Sequence, residues 1–323
     1  MTVRTLWKII RGLILFLGPL LAIQSAAWGF SKYAGEFLSL GVGARPMGMG
    51  GAYAAISDDA SAIYWNPAGL VHVSQRQVMF MHAESFGGLV GHDYLGVVLP
   101  LEPNRSALGI GLLRLGIEDI PYTEWNLQTQ RPRIVREVND AEYALFLSYA
   151  RSGWKGLSLG GSAKLIRKGV GDDHALGLGV DAGVFWYLRP SWVVGVKLAD
   201  MTTTPLVWNS GQREYILPML KLGTAYKLTS RLVRGAILIA LDADTRFEDR
   251  DYAAWASVSG VSFDPRAGFE YCYQHRIALR AGIEPDGFSA GAGIRLGIGD
   301  VDYAFLGHNE LDNSHRLSAL VTF

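Results

Sequence analysis

The chain has a single cysteine, no surplus of either charge and, beyond its first two dozen residues, no apolar run long enough for a membrane helix. Cys272 alone cannot build an internal disulfide framework or a thiolate metal cluster. Lysine plus arginine and aspartate plus glutamate stand at 30 each, so no basic field argues for nucleic acid. Charged residues make up 19%, below the usual quarter of a soluble chain. The seven histidines are scattered, and His82 with Glu84 and His92 with Asp93 are the nearest approaches to a ligand pair, so neither a metal site nor any other cofactor is expected.

What is abundant points elsewhere. Glycine, at 39 residues, and aromatics, at 11%, suit an all-β protein with many tight turns, or a membrane protein. At the start, Arg4, Lys8 and Arg11 precede an apolar run from Gly12 to Ile23, and Ser25-Ala26-Ala27 offers small residues for cleavage. Residues 1–27 therefore read as a secretory signal peptide. A retained anchor is the weaker reading, because the run is broken by Gly18 and Pro19 and is short of the roughly 20 residues that span a bilayer. With no later run of that kind, a membrane protein of this sequence has to be a closed β-barrel, the other structure that satisfies every backbone polar group in hydrocarbon.

Alternation supports that fold. Between Asp173 and Leu188, Leu176, Leu178, Val180, Ala182, Val184 and Trp186 share one face while Gly177, Gly179, Asp181 and Gly183 share the other. The segment is longer than a mean soluble strand and matches a tilted membrane strand. The same pattern recurs at Leu157–Leu165, Ile237–Asp244 and Phe288–Leu296, with a polar face that is small and occasionally charged. A soluble sandwich also alternates, but with shorter strands and more charge. The expected fold class is all-β, a transmembrane antiparallel β-barrel of about 14 strands over residues 76–323, with Tyr252–Phe263 undecided between strand and loop. Tight reversals are expected at Leu188–Ser191 and Glu284–Gly287, and long outward-facing loops at Glu118–Asn139 and Asp200–Arg213. Tyr122, Trp125 and Trp208 in those loops are candidate contacts for a ligand or a partner. The chain stops at Phe323 on an amphipathic strand, a candidate signal for the barrel-assembly machinery.

Two enzymatic patterns fail on context. Gly156-Leu157-Ser158-Leu159-Gly160 matches a nucleophile elbow, yet Ser158 falls within an alternating strand and no helix follows. Gly177-Leu178-Gly179-Val180-Asp181-Ala182 mimics a dinucleotide loop with the same defect. Asp58-Asp59 read as a helix start capped by Asp59 or Ser57, on the argument that adjacent side chains point apart. No enzyme is expected.

Residues 28–75 are the least ordinary part. Gly41, Gly43, Gly48, Gly50 and Gly51 permit close-packed backbone, Ala52–Ile63 is small and apolar, and Asn66, Pro67 and Gly69 form a turn or a short helical piece. The expected arrangement is a hatch that plugs the lumen; a periplasmic extension packed below the barrel is the alternative.

The stretch EFLSLGVGARPMGMGGAYAAISDDASAIYWNPAGL resembles the N-terminal signature of the PorV/PorQ family of outer-membrane proteins, themselves similar to FadL, the long-chain fatty-acid transporters. The resemblance rests on Gly-Ala-Arg, the Gly48, Gly50 and Gly51 run, Asp58-Asp59-Ala60-Ser61, and Asn66-Pro67-Ala68. It implies a fourteen-stranded barrel in the outer membrane of a diderm bacterium, with a hatch held in register by Asn66, Pro67 and Ala68. It also implies one of two roles. Either the barrel binds a hydrophobic small molecule and passes it sideways into the outer-membrane lipid, or it serves as a protein-interaction partner in type IX secretion. General porin activity is disfavoured by the hatch and by a lumen expected to carry modest charge.

Overall fold

The computed structural model describes residues 34–323 except 86, 231–233, 249, 251–253 and 309–312. The expected signal peptide, residues 1–27, lies outside them. Among the described residues, seventeen strands form one sheet. In chain order they are β1 (Gln77–Ser85), β2 (Val90–Glu102), β3 (Ser106–Asn126), β4 (Arg131–Ser152), β5 (Leu157–Val170) and β6 (Asp173–Arg189). Next come β7 (Trp192–Ala199), β8 (Thr204–Trp208), β9 (Arg213–Ile216), β10 (Met219–Ser230), β11 (Gly235–Arg246) and β12 (Ala256–Val258). The last five are β13 (Val261–Tyr273), β14 (Ile277–Glu284), β15 (Gly287–Arg295), β16 (Gly299–Leu306) and β17 (Ser314–Thr322).

Fourteen of these pair in an unbroken antiparallel ring, β1 to β7, then β10, β11 and β13 to β17, and β17 pairs back onto β1 through Gln77↔Thr322. Closure removes the exposed edges that an open sheet would carry. β8 and β9 extend the ring rather than add to it. β8 continues past β7 along the same edge of β6, through Gly177↔Leu206, and β9 returns beside it towards β10. Of the region expected as a loop, 200–213, Thr204–Trp208 is therefore strand and Arg213 opens another, while 200–203 interrupts the wall and 209–212 turns between them. Positive φ at Asp200 and Thr203 marks the interruption.

The other expected loop, 118–139, is also corrected. β3 and β4 run to 21 and 22 residues beside neighbours of 13 and 14, so their far ends stand clear of the wall as a two-stranded ribbon. Ile, Tyr, Thr, Trp and Val provide the β-propensity for it, and irregular register at Ile117/Ile120 and Tyr122/Thr123 bends it. Both tight reversals are where they were expected, at Pro190-Ser191 and Pro285-Asp286. In the undecided stretch, Ala256–Val258 and Val261 onward are strand.

The wall is apolar outside and ionic inside. On β6, Leu176, Leu178 and Val180 are 51%, 68% and 41% exposed, while the next residue, Asp181, faces inward and is 1% exposed. Lys164, Lys197, Lys221, Asp242, Asp244, Glu270, Arg280, Asp302 and Arg316 are buried on the same inward parity. Such a surface is stable where lipid, rather than water, covers the outside. The inward charge also overturns the expectation of a modestly charged lumen; parity places these residues inward, and opposite charges on adjacent strands let them stay there. The wall begins at Gln77 and ends at Thr322 on the side of the short turns, so the ribbon, β8 and β9 lie on the outer side.

Candidate functional site

The inward faces of the wall meet the segment from Ala34 to Val73, nearly all of which is buried. That segment contains only brief helical pieces, Glu36–Ser39, α1 (Ala44–Met47), α2 (Ala62–Trp65) and Pro67–His72. Pieces so short leave many backbone groups without partners of their own. The wall supplies those partners. Asp242 on β11 accepts from the amides of Tyr53 and Ala54, both at 2.9 Å. Ser289 accepts from Gly50 N at 2.9 Å and Ser318 from Ala44 N at 3.1 Å. Arg266 donates to Gly50 O at 3.0 Å, Arg316 to Gly41 O at 2.8 Å, and Lys197 to Tyr64 O.

The close approach requires glycine on the wall as well. A Cβ at Gly268 would lie 2.6 Å from Met49 O, and one at Gly195 would collide with the Ala54 carbonyl. Gly160 and Gly183 likewise leave room for Ala68 and Asn66. On the segment itself, Gly50 has φ +63, and a side chain there would strike the Ile283 backbone at 2.7 Å. Gly48 abuts Gly291 on β15, and Gly51 sits against Arg266 and Trp65.

The residues singled out in the sequence are thus brought against the wall, though not for chemistry. Asn66 is fully buried; its Nδ2 donates to Ala54 O at 2.8 Å and to Val184 O on β6 at 3.0 Å, and its Oδ1 accepts from Ala68 N at 3.2 Å. Pro67 opens the helical turn that follows, where its missing N–H costs nothing. Asp58 and Asp59 do not point apart. The chain between the helical pieces is irregular there, with Ser57 at φ 20, and both carboxylates reach Arg45 Nη1, at 2.6 and 3.4 Å. Asp59 also accepts from Tyr53 Oη at 2.6 Å and from Ser61 N at 2.9 Å; the N-cap of α2 is Ser61, which makes no capping bond of its own, so Asp59 braces the turn before the helix rather than capping it.

Arg45 joins this acidic corner to the wall through a bidentate pair with Glu270, at 2.9 and 3.1 Å, and Glu270 passes the charge on to Arg280 and Asp302. Burial opposes the charge on Arg45, but Asp58 and Glu270 hold its pKa well above the ordinary guanidinium value. Burial raises Asp59 above the usual carboxylate range against the pull of Arg45, and pushes the Tyr64 hydroxyl up to about 12. At the inner end, burial lowers His72, whose ring lies 4.5 Å from that of Phe185 and 5.2 Å from that of Tyr187.

Alternation alone missed the ionic groups that surround this segment. Lys164 bridges Asp181 and Asp200, both at 2.8 Å, and Arg266 bridges Asp244 at 3.1 Å and Glu284 at 2.6 Å. The available signal was charge at inward parity, as in Asp242 and Asp244, two residues apart on one strand. At the outer end, a cavity of about 130 Å³ is lined by four arginines, Arg246, Arg250, Arg266 and Arg316, and by four carboxylates, Glu36, Asp264, Glu284 and Asp286. Arg316 is 4% exposed and has no carboxylate within ion-pair distance among the described residues.

Tyr122, Trp125 and Trp208 are not brought together. Tyr122 and Trp125 are exposed on the ribbon, Tyr122 under the guanidinium of Arg136 at 4.9 Å, and Trp208 is half-buried at the end of β8 beside Ala175. Phe323 follows β17, exposed, with its amide bonded to Arg76 O at 3.0 Å. Ser158 is a buried residue inside β5, as strand context required.

Solved structures share this architecture. A FadL homologue from Pseudomonas aeruginosa superposes with a TM-score of 0.58 at 13% identity, covering 87% of this chain and 98% of that one. The toluene transporter TodX of Pseudomonas putida gives 0.55 at 15% identity, over 87% of this chain and 97% of that one. No family profile matches the sequence, and no curated protein sequence does. At these identities the likeness establishes a shared fold.

Proposed function

We propose that the chain is an outer-membrane channel for hydrophobic small molecules, in which residues 34–75, the described part of the segment expected over 28–75, form a hatch seated in the barrel. The observation that carries this reading is the match between unsatisfied backbone groups of the segment and wall side chains aimed at them: Asp242, Ser289, Ser318, Arg266, Arg316 and Lys197. Gly48, Gly50, Gly51, Asn66, Pro67 and Ala68 are the seating residues, and Asp58 and Asp59 anchor the hatch through Arg45. No catalytic group is involved. The fold likeness to FadL-type barrels supports the outer-membrane location and the ligand class. The signal peptide serves export, and Phe323 serves recognition by the assembly machinery.

A second reading, a protein-interaction barrel of a secretion system, is favoured by the ribbon. It presents Trp125 and Ile134 to solvent well clear of the wall, where a partner would reach them before any small ligand did. Native mass spectrometry of the protein extracted from its own membrane in mild detergent separates the two. A reproducible small hydrophobic adduct supports the channel; a stoichiometric protein companion without one transfers the assignment to the second reading. A large steady conductance in planar bilayers would overturn the hatch.

A further inference from the structure

On the outward side of β1 to β5, five residues in directly paired positions form one row: His82, Asp93, Arg114, Tyr143 and Arg167. Two residues towards the inner end, the same strands present Phe80, Leu95, Leu112, Leu145 and Leu165, also directly paired. The polar row therefore caps an apolar one on the face that lipid covers. His82 Nδ1 meets Asp93 Oδ1 at 2.7 Å, and Arg114 donates to Asp93 Oδ2 at 3.1 Å. Arg167 is exposed and has no ion-pair partner among the described residues. Beneath the row, a groove of about 310 Å³ opens outward between Phe80, Leu95 and Leu112, edged by Asp93, Arg114 and Tyr143.

We infer that this face is a binding site for a single outer-leaflet lipid with a phosphomonoester headgroup. Charges on the lipid face cost about 2–4 kcal/mol at the midplane and little at the interface, so the row marks headgroup level. Arg114 and Arg167 are two strands apart, about 10 Å, with the Tyr143 ring between them. Guanidinium groups at that spacing clasp a phosphate from two sides; Arg114, held by Asp93 at 3.1 Å and by the exposed Glu118 at 3.5 Å, still has N–H donors in excess of those two contacts, and Arg167 has all of its own. The groove takes an acyl chain of the same molecule, because it is apolar and lies on the hydrocarbon side of the row. Lipid is the one class of occupant always present at this level, and two cations on one face, two strands apart, select within it for phosphate.

The test is native mass spectrometry of the delipidated full-length protein titrated with bis-phosphorylated lipid A and with the same lipid after enzymatic dephosphorylation. One copy should bind, at least about tenfold more tightly when phosphorylated. Arg167→Gln should abolish that preference; it leaves no carboxylate orphaned, so the barrel folds, as heat-modifiable migration verifies. Leu112→Trp, which fills the groove, should weaken both lipids, and millimolar inorganic phosphate should not compete. Equal affinity for the two lipids, an unchanged preference in Arg167→Gln, or displacement by inorganic phosphate would each overturn the proposal.

Discussion

Asn66→Ala is the sharpest perturbation of the proposed hatch. The side chain makes three hydrogen bonds in a fully buried setting, two as donor to Ala54 O and Val184 O and one as acceptor from Ala68 N. Each is worth about 1 kcal/mol net, and alanine also leaves the partners unpaired, so unseating coupled to local unfolding of the segment should become easier by about 3 kcal/mol. That corresponds to roughly a 150-fold rise in the unseated population. The bond to Val184 is the only one of the three that reaches the wall, and none belongs to the ladder that closes the barrel. The variant should therefore keep its heat-modifiable barrel while hydrogen exchange accelerates over residues 41–72. Asn66→Asp should be worse, since a carboxylate would face two carbonyl oxygens. If exchange in Asn66→Ala matched the wild type, the idea that Asn66 seats the segment would be refuted.

Three other outcomes follow from the geometry. Gly195→Ala should unseat the hatch without harming β7, because the added methyl meets the Ala54 carbonyl backbone and nothing there can yield; single-channel recordings showing a wild-type closed state would contradict it. Leu178→Arg, on the outer face at 68% exposure, should cost about 2–4 kcal/mol if it lies near the bilayer midplane and should lower folding yield into vesicles, whereas undiminished yield would mean that lipid does not cover this face. His72 has a proton affinity below its ordinary value of 6.5, so the unseated segment binds the proton more readily than the seated one. Seating should be strongest above that ordinary value and weaken as pH falls through it towards the buried value; protection factors at pH 7.5 and 5.5 that differ no more in wild type than in His72→Phe would reject this.

Most of the wall was legible because the side-chain period of a strand is two and each strand here has one lipid-facing side. Leu176, Leu178 and Val180 against Gly177, Gly179 and Asp181 separate cleanly, and the ring of fourteen follows from repeating that pattern. The ribbon was misread as loop because its residues, Glu118 to Asn139, carry polar side chains on both faces; standing clear of wall and lipid, it has no buried face to impose alternation. The interruption at Asp200–Thr203 was missed for another reason. It is held by tertiary contacts, Asp200 N to Asp181 at 2.9 Å and Lys164 to both carboxylates, that local sequence does not announce. The convergence of Asp58 and Asp59 on Arg45 was hidden likewise, since it requires an irregular backbone that brings together residues thirteen and fourteen positions apart.

The seam between β1 and β17 joins Gln77 to Thr322, the two ends of the wall, and the glycine-lined approaches to Asn66 and Met49 leave the lumen no spare width. A structure closed this way has a schedule. The pairing with the greatest separation along the chain is entropically the most expensive to nucleate and forms late. On the proposed hatch reading, residues 34–73 have to lie within the curling sheet, still unsatisfied, before β17 reaches β1, so that a lesion in β17 would be felt first as an unfilled barrel rather than as a missing strand.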